Sequence, residues 1–239
     1  MDVLFSTNRF ETTLEGIDQS LIQNEVAFVC RQLPQPRFKR LLQLHCGDGL
    51  HSLELSKRGY YILGTSQTGF SINAARAAAH PNLHFIVEDM RTLAHPPASF
   101  DSVLFLWQSF GFFSERSNRD ILRQIRTLLQ PGGRLILDLY QPSFFERHIG
   151  IRQYLVGDTM VTEKKSMRGG RLNVVISYDG KREPKVFDWR LYSPFEIIEL
   201  AELYGFHVLH TCTNFEENTS PSKNHPRVQY VLEKPRLMM

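Results

Sequence analysis

Between residues 40 and 140 short apolar runs alternate with helical segments, and the first run feeds a glycine loop, His45-Cys46-Gly47-Asp48-Gly49. That alternation is the strongest constraint on the fold. Strands separated by helices of this length are joined by right-handed crossovers and lie parallel in one sheet. Leu41, Leu42 and Leu44 mark the first strand, Tyr60 to Gly64 the second, Leu83 to Val87 the third, Val103 to Trp107 the fourth and Leu135 to Leu139 the fifth. The helices between them are expected at Leu50 to Arg58, closed by Gly59, at Ser71 to Ala79, and after Ser117 as N-cap with Asp120 three residues on. Ile121, Leu122, Ile125, Leu128 and Leu129 give that last helix one apolar face, and Pro131-Gly132-Gly133 is expected to end it.

The flanks differ. Ile17 to Leu33 reads as an amphipathic helix with Leu21, Ile22, Val26 and Val29 at helical spacing, stopped by Pro34 and Pro36. Residues 151–192 lack a helical period and read as strands, with turns at Arg168-Gly169-Gly170 and Asp179-Gly180. A late helix starts at Ser193 with Pro194 and Glu196 in its first turn and closes at Gly205. Strands near Phe206–Thr211 and Val228–Glu233 follow. Residues 141–192 are then an insertion over the carboxyl ends of the strands, where open α/β sheets bind ligands.

Composition narrows the partners. A net charge of +3 over 239 residues is too slight to imply nucleic acid, and the one basic stretch, Lys164, Lys165, Arg168 and Arg171, reads as a solvated hairpin. Cys30, Cys46 and Cys212 fit neither a zinc site nor a disulfide framework, which suits a reducing compartment. No signal pattern opens the chain, and no apolar run approaches the roughly 20 residues that span a bilayer. The expectation is a soluble cytoplasmic protein, monomer or homodimer. His80 and His84 are separated by Pro81 and Asn82, and His207 and His210 fall on opposite faces of a strand, so no metal site is expected.

The loop lets a ligand approach the backbone and offers free N–H groups at a helix start; a tight turn with no ligand is the alternative. A dinucleotide site would want a third glycine where Ser52 stands, and an acid about 20 residues on, where Thr65-Ser66-Gln67 stands. A nicotinamide cofactor is therefore not expected, and no phosphate-binding G-K-[ST] occurs.

The run from Leu41 to Leu55 resembles motif I of class I S-adenosylmethionine (SAM)-dependent methyltransferases. Further resemblances follow in order: Lys57-Arg58-Gly59-Tyr60, Gly64-Thr65-Ser66, the acidic motif Phe85 to Arg91, Phe100-Asp101-Ser102-Val103, Ser109 to Phe113, Leu129 to Leu135, Arg190 to Pro194 and Tyr204-Gly205-Phe206. The resemblance implies a doubly wound, Rossmann-like α/β fold: a seven-stranded sheet with its last strand antiparallel, plus an antiparallel lid insertion. It divides the chain into residues 1–140, the N-terminal helix and SAM-binding half; 141–192, the lid; and 193–239, the rest of the core.

The resemblance also assigns residues. Leu44, His45, Cys46, Gly47, Asp48 and Gly49 would cradle the methionine part of SAM, Ser66 and Gln67 would lie at the ribose, Asp89 would face the adenine amino group with Met90 beside the ring, and Trp107 would sit near the methionine or the methyl. Three positions depart from the pattern: Gln43 replaces an acid, His45 replaces the first glycine, and Ser66 replaces the acid that holds the ribose hydroxyls. Asp48, where relatives carry Thr, supplies a negative charge at a helix N-terminus.

The reaction implied is methyl transfer to a small molecule; a catalytically degenerate homologue that binds or scaffolds is the alternative. Candidates for the acceptor pocket are Gln108, Phe110, Phe112, Tyr140, Arg190 and Tyr192. The aromatic ones have core packing as their other role, and Arg190 has pairing with a structural acid. Leu106-Trp107-Gln108-Ser109 lacks the [DNS]-P-P-[FYW] signature of enzymes that methylate flipped bases, which argues against a nucleic-acid acceptor. A general base for the transfer follows no fixed motif, so no catalytic residue is read from the sequence.

Overall fold

A computed structural model describes residues 19–67, 80–179 and 183–236. The elements are α1 (Gln19–Gln32), β1 (Arg40–Gln43), α2 (Leu50–Lys57), β2 (Tyr61–Ser66), β3 (Leu83–Val87), β4 (Phe100–Phe105), α3 (Glu115–Leu128), β5 (Leu129–Tyr140), α4 (Pro142–Phe145), β6 (Gly150–Val156), β7 (Thr159–Arg168), β8 (Arg171–Tyr178), β9 (Lys185–Arg190), α5 (Pro194–Leu203), β10 (His207–Cys212) and β11 (Arg227–Glu233). The helix expected at Ser71–Ala79 and the turn glycine Gly180 lie outside the described residues.

Seven strands form one sheet in the order β10-β11-β5-β4-β1-β2-β3. β11 enters between β10 and β5 and runs antiparallel to both, while β5, β4, β1, β2 and β3 are parallel. The sheet is covered on both faces, and strand alternation decides which residue goes where. Leu42, Val103, Phe105, Leu135, Leu137 and Tyr230 pack beneath α3 and α5. Leu41, Leu104, Ile136 and Val231 point the other way, against α1 and α2. The apolar face of α3 is fully used: Ile121, Leu122, Ile125 and Leu128 are buried, each worth about 1.5–3 kcal/mol.

Two local readings of the sequence change. Ser114, not Ser117, caps α3; its hydroxyl accepts from the Ser117 backbone N–H at 3.2 Å. Pro131-Gly132-Gly133 does not separate helix from strand. β5 begins at Leu129 and carries these residues as an irregularity, with Gly132 N–H donating to the Lys234 carbonyl at 2.7 Å. At α5 the expected capping box is present: Glu196 N–H donates to the Ser193 hydroxyl, and Ser193 N–H to the Glu196 carboxylate.

A second, four-stranded antiparallel sheet, β6-β7-β8-β9, rises from the end of β5. Gly169 and Gly170 both have positive φ and close the tight β7–β8 hairpin. One face of this sheet is apolar and packs with Tyr140 and Phe145. The basic stretch is only partly solvated: Lys165 is buried on that face and paired with Glu163. The Arg190 N–H donates to the Gly111 carbonyl at 2.8 Å, tying β9 to the segment after β4. Backbones meet so closely here that a Cβ on Gly111 would lie 2.3 Å from the Arg190 carbonyl oxygen. No helix among the described residues is long and apolar enough to cross a membrane.

Candidate functional site

The loop after β1 sits at the carboxyl edge of the parallel strands. Leu44 N–H donates to Leu104 O at 3.0 Å and Cys46 N–H to Thr65 O at 2.8 Å, so both neighbouring strands hold it. His45, Gly47 and Gly49 all have positive φ, at 55°, 59° and 78°. Glycine meets that demand freely, whereas a histidine there is strained. A Cβ on Gly47 would meet nothing within 4 Å among the described residues, which leave open space over the loop at that point. Asp48 is exposed at the start of α2. The Cys46 thiol is buried, and burial pushes its pKa up to about 12, which removes it as a nucleophile.

Gln43 does not leave a gap where an acid was expected. Its Oε1 accepts from the buried Ser52 hydroxyl at 2.6 Å and joins the end of β1 to α2. Ser52 therefore has a structural use at the place where a dinucleotide loop would carry glycine.

The His45 ring stacks on Phe112 with centroids 4.7 Å apart and 24° between planes. Its Nδ1 is buried and has no hydrogen-bond partner among the described residues. Burial also pushes the imidazole pKa below its ordinary value, so the ring is neutral near pH 7. This buried polar atom beside the open loop is what a ligand would satisfy.

At the ends of β2 and β3, Ser66 is buried and its carbonyl accepts from Glu88 N–H at 3.0 Å. Gln67 is exposed and reaches Asp89. Asp89 is gripped by Arg91, with Nε at 3.0 and 2.9 Å and Nη2 at 2.5 Å from its carboxylate. Chiefly that guanidinium holds the carboxyl below the usual range. Met90 lies in the core under α3.

Trp107 and Gln108 follow β4, both with positive φ (60° and 51°). Trp107 N–H donates to Asp138 at 2.8 Å, and its indole Nε1 donates to Glu25 at 2.5 Å. Gln108 is buried; its Nε2 donates to Phe110 O at 2.8 Å, and its Oε1 accepts from Tyr140 N–H at 2.5 Å. Around Trp107 lies a buried network that no motif announced. Glu25 accepts from Trp107, contacts His51 Nε2 at 2.5 Å and pairs with Arg227 at 2.7 Å. Arg227 also grips Asp138, which takes a further bond from Gln229 at 2.8 Å. Burial opposes the Arg227 charge, but Asp138 and Glu25 outweigh it and raise its pKa. The signal lay in period: Glu25 stands among Ile22, Val26 and Val29 in the apolar stripe of α1, and Asp138 interrupts an apolar strand.

The acceptor candidates divide. Phe112 stands over His45 and reaches Trp189 of β9 at 5.9 Å, and Tyr140 meets Trp189 at 5.8 Å. These join the loop to the second sheet. Phe110 packs in the core between Phe105 and Tyr192, and the Tyr192 hydroxyl lies between Asn118 and Glu115. Arg190 is paired with Glu196 and Glu115 and stacks on Tyr192. These last residues border a cleft of about 730 Å³ between α3 and α5, which none of the loop residues lines.

Residues 41–133 match the model of a family described as a methyltransferase domain. A Geobacillus protein (strain WCH70), provisionally named a methyltransferase, is 25% identical over 232 residues, 90% of this chain and 91% of its own. A second relative so named, YqeM of Bacillus subtilis, is 24% identical over 108 residues, and the match spans only 44% of either chain. The fold is shared with SAM-bound CalS10, an amino pentose methyltransferase from Micromonospora echinaspora. That likeness has a TM-score of 0.74 at 18% identity, over 98% of this chain and 99% of the other.

Proposed function

We propose that this chain, whose residues 41–133 match a methyltransferase-domain family, is a class I SAM-dependent methyltransferase acting on a small molecule. The single observation that carries the proposal is the loop after β1: positive φ at His45, Gly47 and Gly49, with nothing over Gly47 and no partner for the buried His45 Nδ1 among the described residues. These residues fit the amino-acid end of SAM. The fit is weaker at the ribose, where Ser66 and Gln67 stand in place of a carboxylate, and at the adenine end, where Arg91 holds Asp89.

The loop backbone from Cys46 to Gly49 would hold the methionine part, Ser66 and Gln67 the ribose, and Asp89 the adenine amino group. SAM, when bound, supplies a methyl group already activated on a sulfonium. The chain's own work is then alignment and exclusion of water. Trp107 is held by Glu25 and Asp138 in one conformation at the mouth of β4. Phe112, Tyr140 and Trp189 form an apolar wall between the loop and the second sheet, which, within residues 141–192, would act as the lid over the site. A small acceptor is supported by that cover, by the modest net charge and by the amino pentose named for CalS10.

A second reading, a homologue that binds without transferring a methyl group, is favoured by Ser66 at the ribose position. Calorimetric titration with SAM and S-adenosylhomocysteine tests the first reading; no heat with either at millimolar ligand would sink it.

A further inference from the structure

α3 and α5 lie side by side on one face of the large sheet, and they run in step. At their starts Arg190 pairs with both Glu115 and Glu196, and at their ends a Cβ on Gly205 would lie 3.1 Å from the Arg126 Nε. Arg119 is therefore level with Glu199, and Arg123 with Glu202 and Leu203. The cleft of about 730 Å³ runs between the two helices, over the buried Leu200.

The two walls of this cleft differ in charge. α3 carries four arginines against two acids, whereas α5 carries three glutamates and no base. Helical spacing gathers Arg116, Arg119 and Arg123 into one stripe, and Phe195, Glu199, Glu202 and Leu203 into another. The side chains of Arg116, Glu199 and Glu202 enter no ion pair or hydrogen bond among the described residues. Arg119 and Arg123 pair only along their own helix, with Glu115 and Asp120. Exposed pairs of that kind are worth little and exchange readily. Phe195 and Leu203 are 68% and 67% exposed on the same face, large apolar side chains that the fold itself leaves uncovered.

We propose that this face binds a second copy of the chain, about a twofold axis that runs along the cleft. That rotation lays the arginine stripe of each copy on the glutamate stripe of the other, Arg119 level with the second copy's Glu199 and Arg123 with its Glu202. Each contact is made twice, as a twofold interface requires. An axis across the cleft would set α3 on α3 and α5 on α5, like charge on like, so charge selects the first axis. Phe195 then meets the second copy's Arg116, a cation over a ring, and Leu203 of each copy enters the cleft of the other. The 14 residues of α3 make the face about 20 Å long, and it is two helices wide. That is small beside a standard interface, so the dimer has modest affinity and is sensitive to salt.

The dimer does not rest on the methyltransferase reading and is tested without SAM, by sedimentation equilibrium at about 100 µM chain. The wild type is expected to be dimeric in about 20 mM salt and monomeric in about 500 mM. Arg119→Glu/Arg123→Glu and Glu199→Arg/Glu202→Arg change exposed residues and set like charges together; each should be monomeric in low salt. Mixed in equal amounts they should dimerise again, because both contacts of the mixed dimer then join opposite charges. The neutral variants Arg123→Gln and Glu202→Gln should each weaken the low-salt dimer about five-fold, two surface ion pairs lost. An unchanged dimer in both neutral variants would count against the proposal even where a reversal variant failed to fold. A monomeric wild type in low salt, a folded reversal variant that dimerises as the wild type does, or a mixture of folded variants that stays monomeric would overturn it. A dimer that survives high salt uses another face and overturns it equally.

Discussion

The buried carboxylate of Glu25 accepts a hydrogen bond from the indole Nε1 of Trp107 at 2.5 Å, across 82 residues of sequence. The same carboxylate pairs with Arg227, so α1, the end of β4 and the start of β11 share one charged centre. Its strength comes from burial: Glu25 is 0% exposed, and removing one partner of a buried pair strands the other. Glu25→Gln is expected to lower the unfolding free energy by about 3 kcal/mol, measured by urea denaturation. Trp107 fluorescence in the folded state should shift as its hydrogen bond weakens. A loss below about 0.5 kcal/mol, the scale of a surface substitution, would mean that the network does not hold the fold.

His45 links stability to pH. Burial lowers its pKa in the folded state, while the unfolded chain titrates near 6.5. The unfolded state therefore binds more protons as pH falls, and stability drops below about pH 6.5. His45→Phe keeps the ring stack on Phe112 and removes the titration. Unfolding free energies at pH 7 and pH 5 should differ less for the variant than for the wild type. Equal differences would show that the folded imidazole titrates as in the open chain.

Ser66 stands where the resemblance calls for an acid. A carboxylate accepting ribose hydroxyls makes charge-assisted bonds of about 1.5–3 kcal/mol each. Ser66→Asp should therefore tighten SAM at least about ten-fold, read as a lower Kd by calorimetry. An unchanged or weaker affinity would place the ribose on other residues.

The alternation of strands and helices made the large sheet legible because period and turn chemistry act over a few residues. The loop was legible for the same reason: Gly47 and Gly49 are local demands of backbone conformation. The hidden part is what depends on distant partners. Glu25 stands on the apolar face of α1, and its partner Arg227 comes from 202 residues later in the chain. Lys165 read as solvated within a basic run, yet the alternation of β7 turns it inward onto Glu163. Arg190 offered a choice between a ligand and a structural acid; the fold sets it against Glu115 and Glu196. Ser117 was the expected cap, and the chain's path after Phe113 puts Ser114 there instead.

The most direct test of the central claim is calorimetric titration of the wild-type chain with SAM and with S-adenosylhomocysteine. Both are expected to bind one to one, weakened by Ser66 but measurable. Absence of heat for both at millimolar ligand would contradict the claim that the loop from His45 to Gly49 is a SAM site.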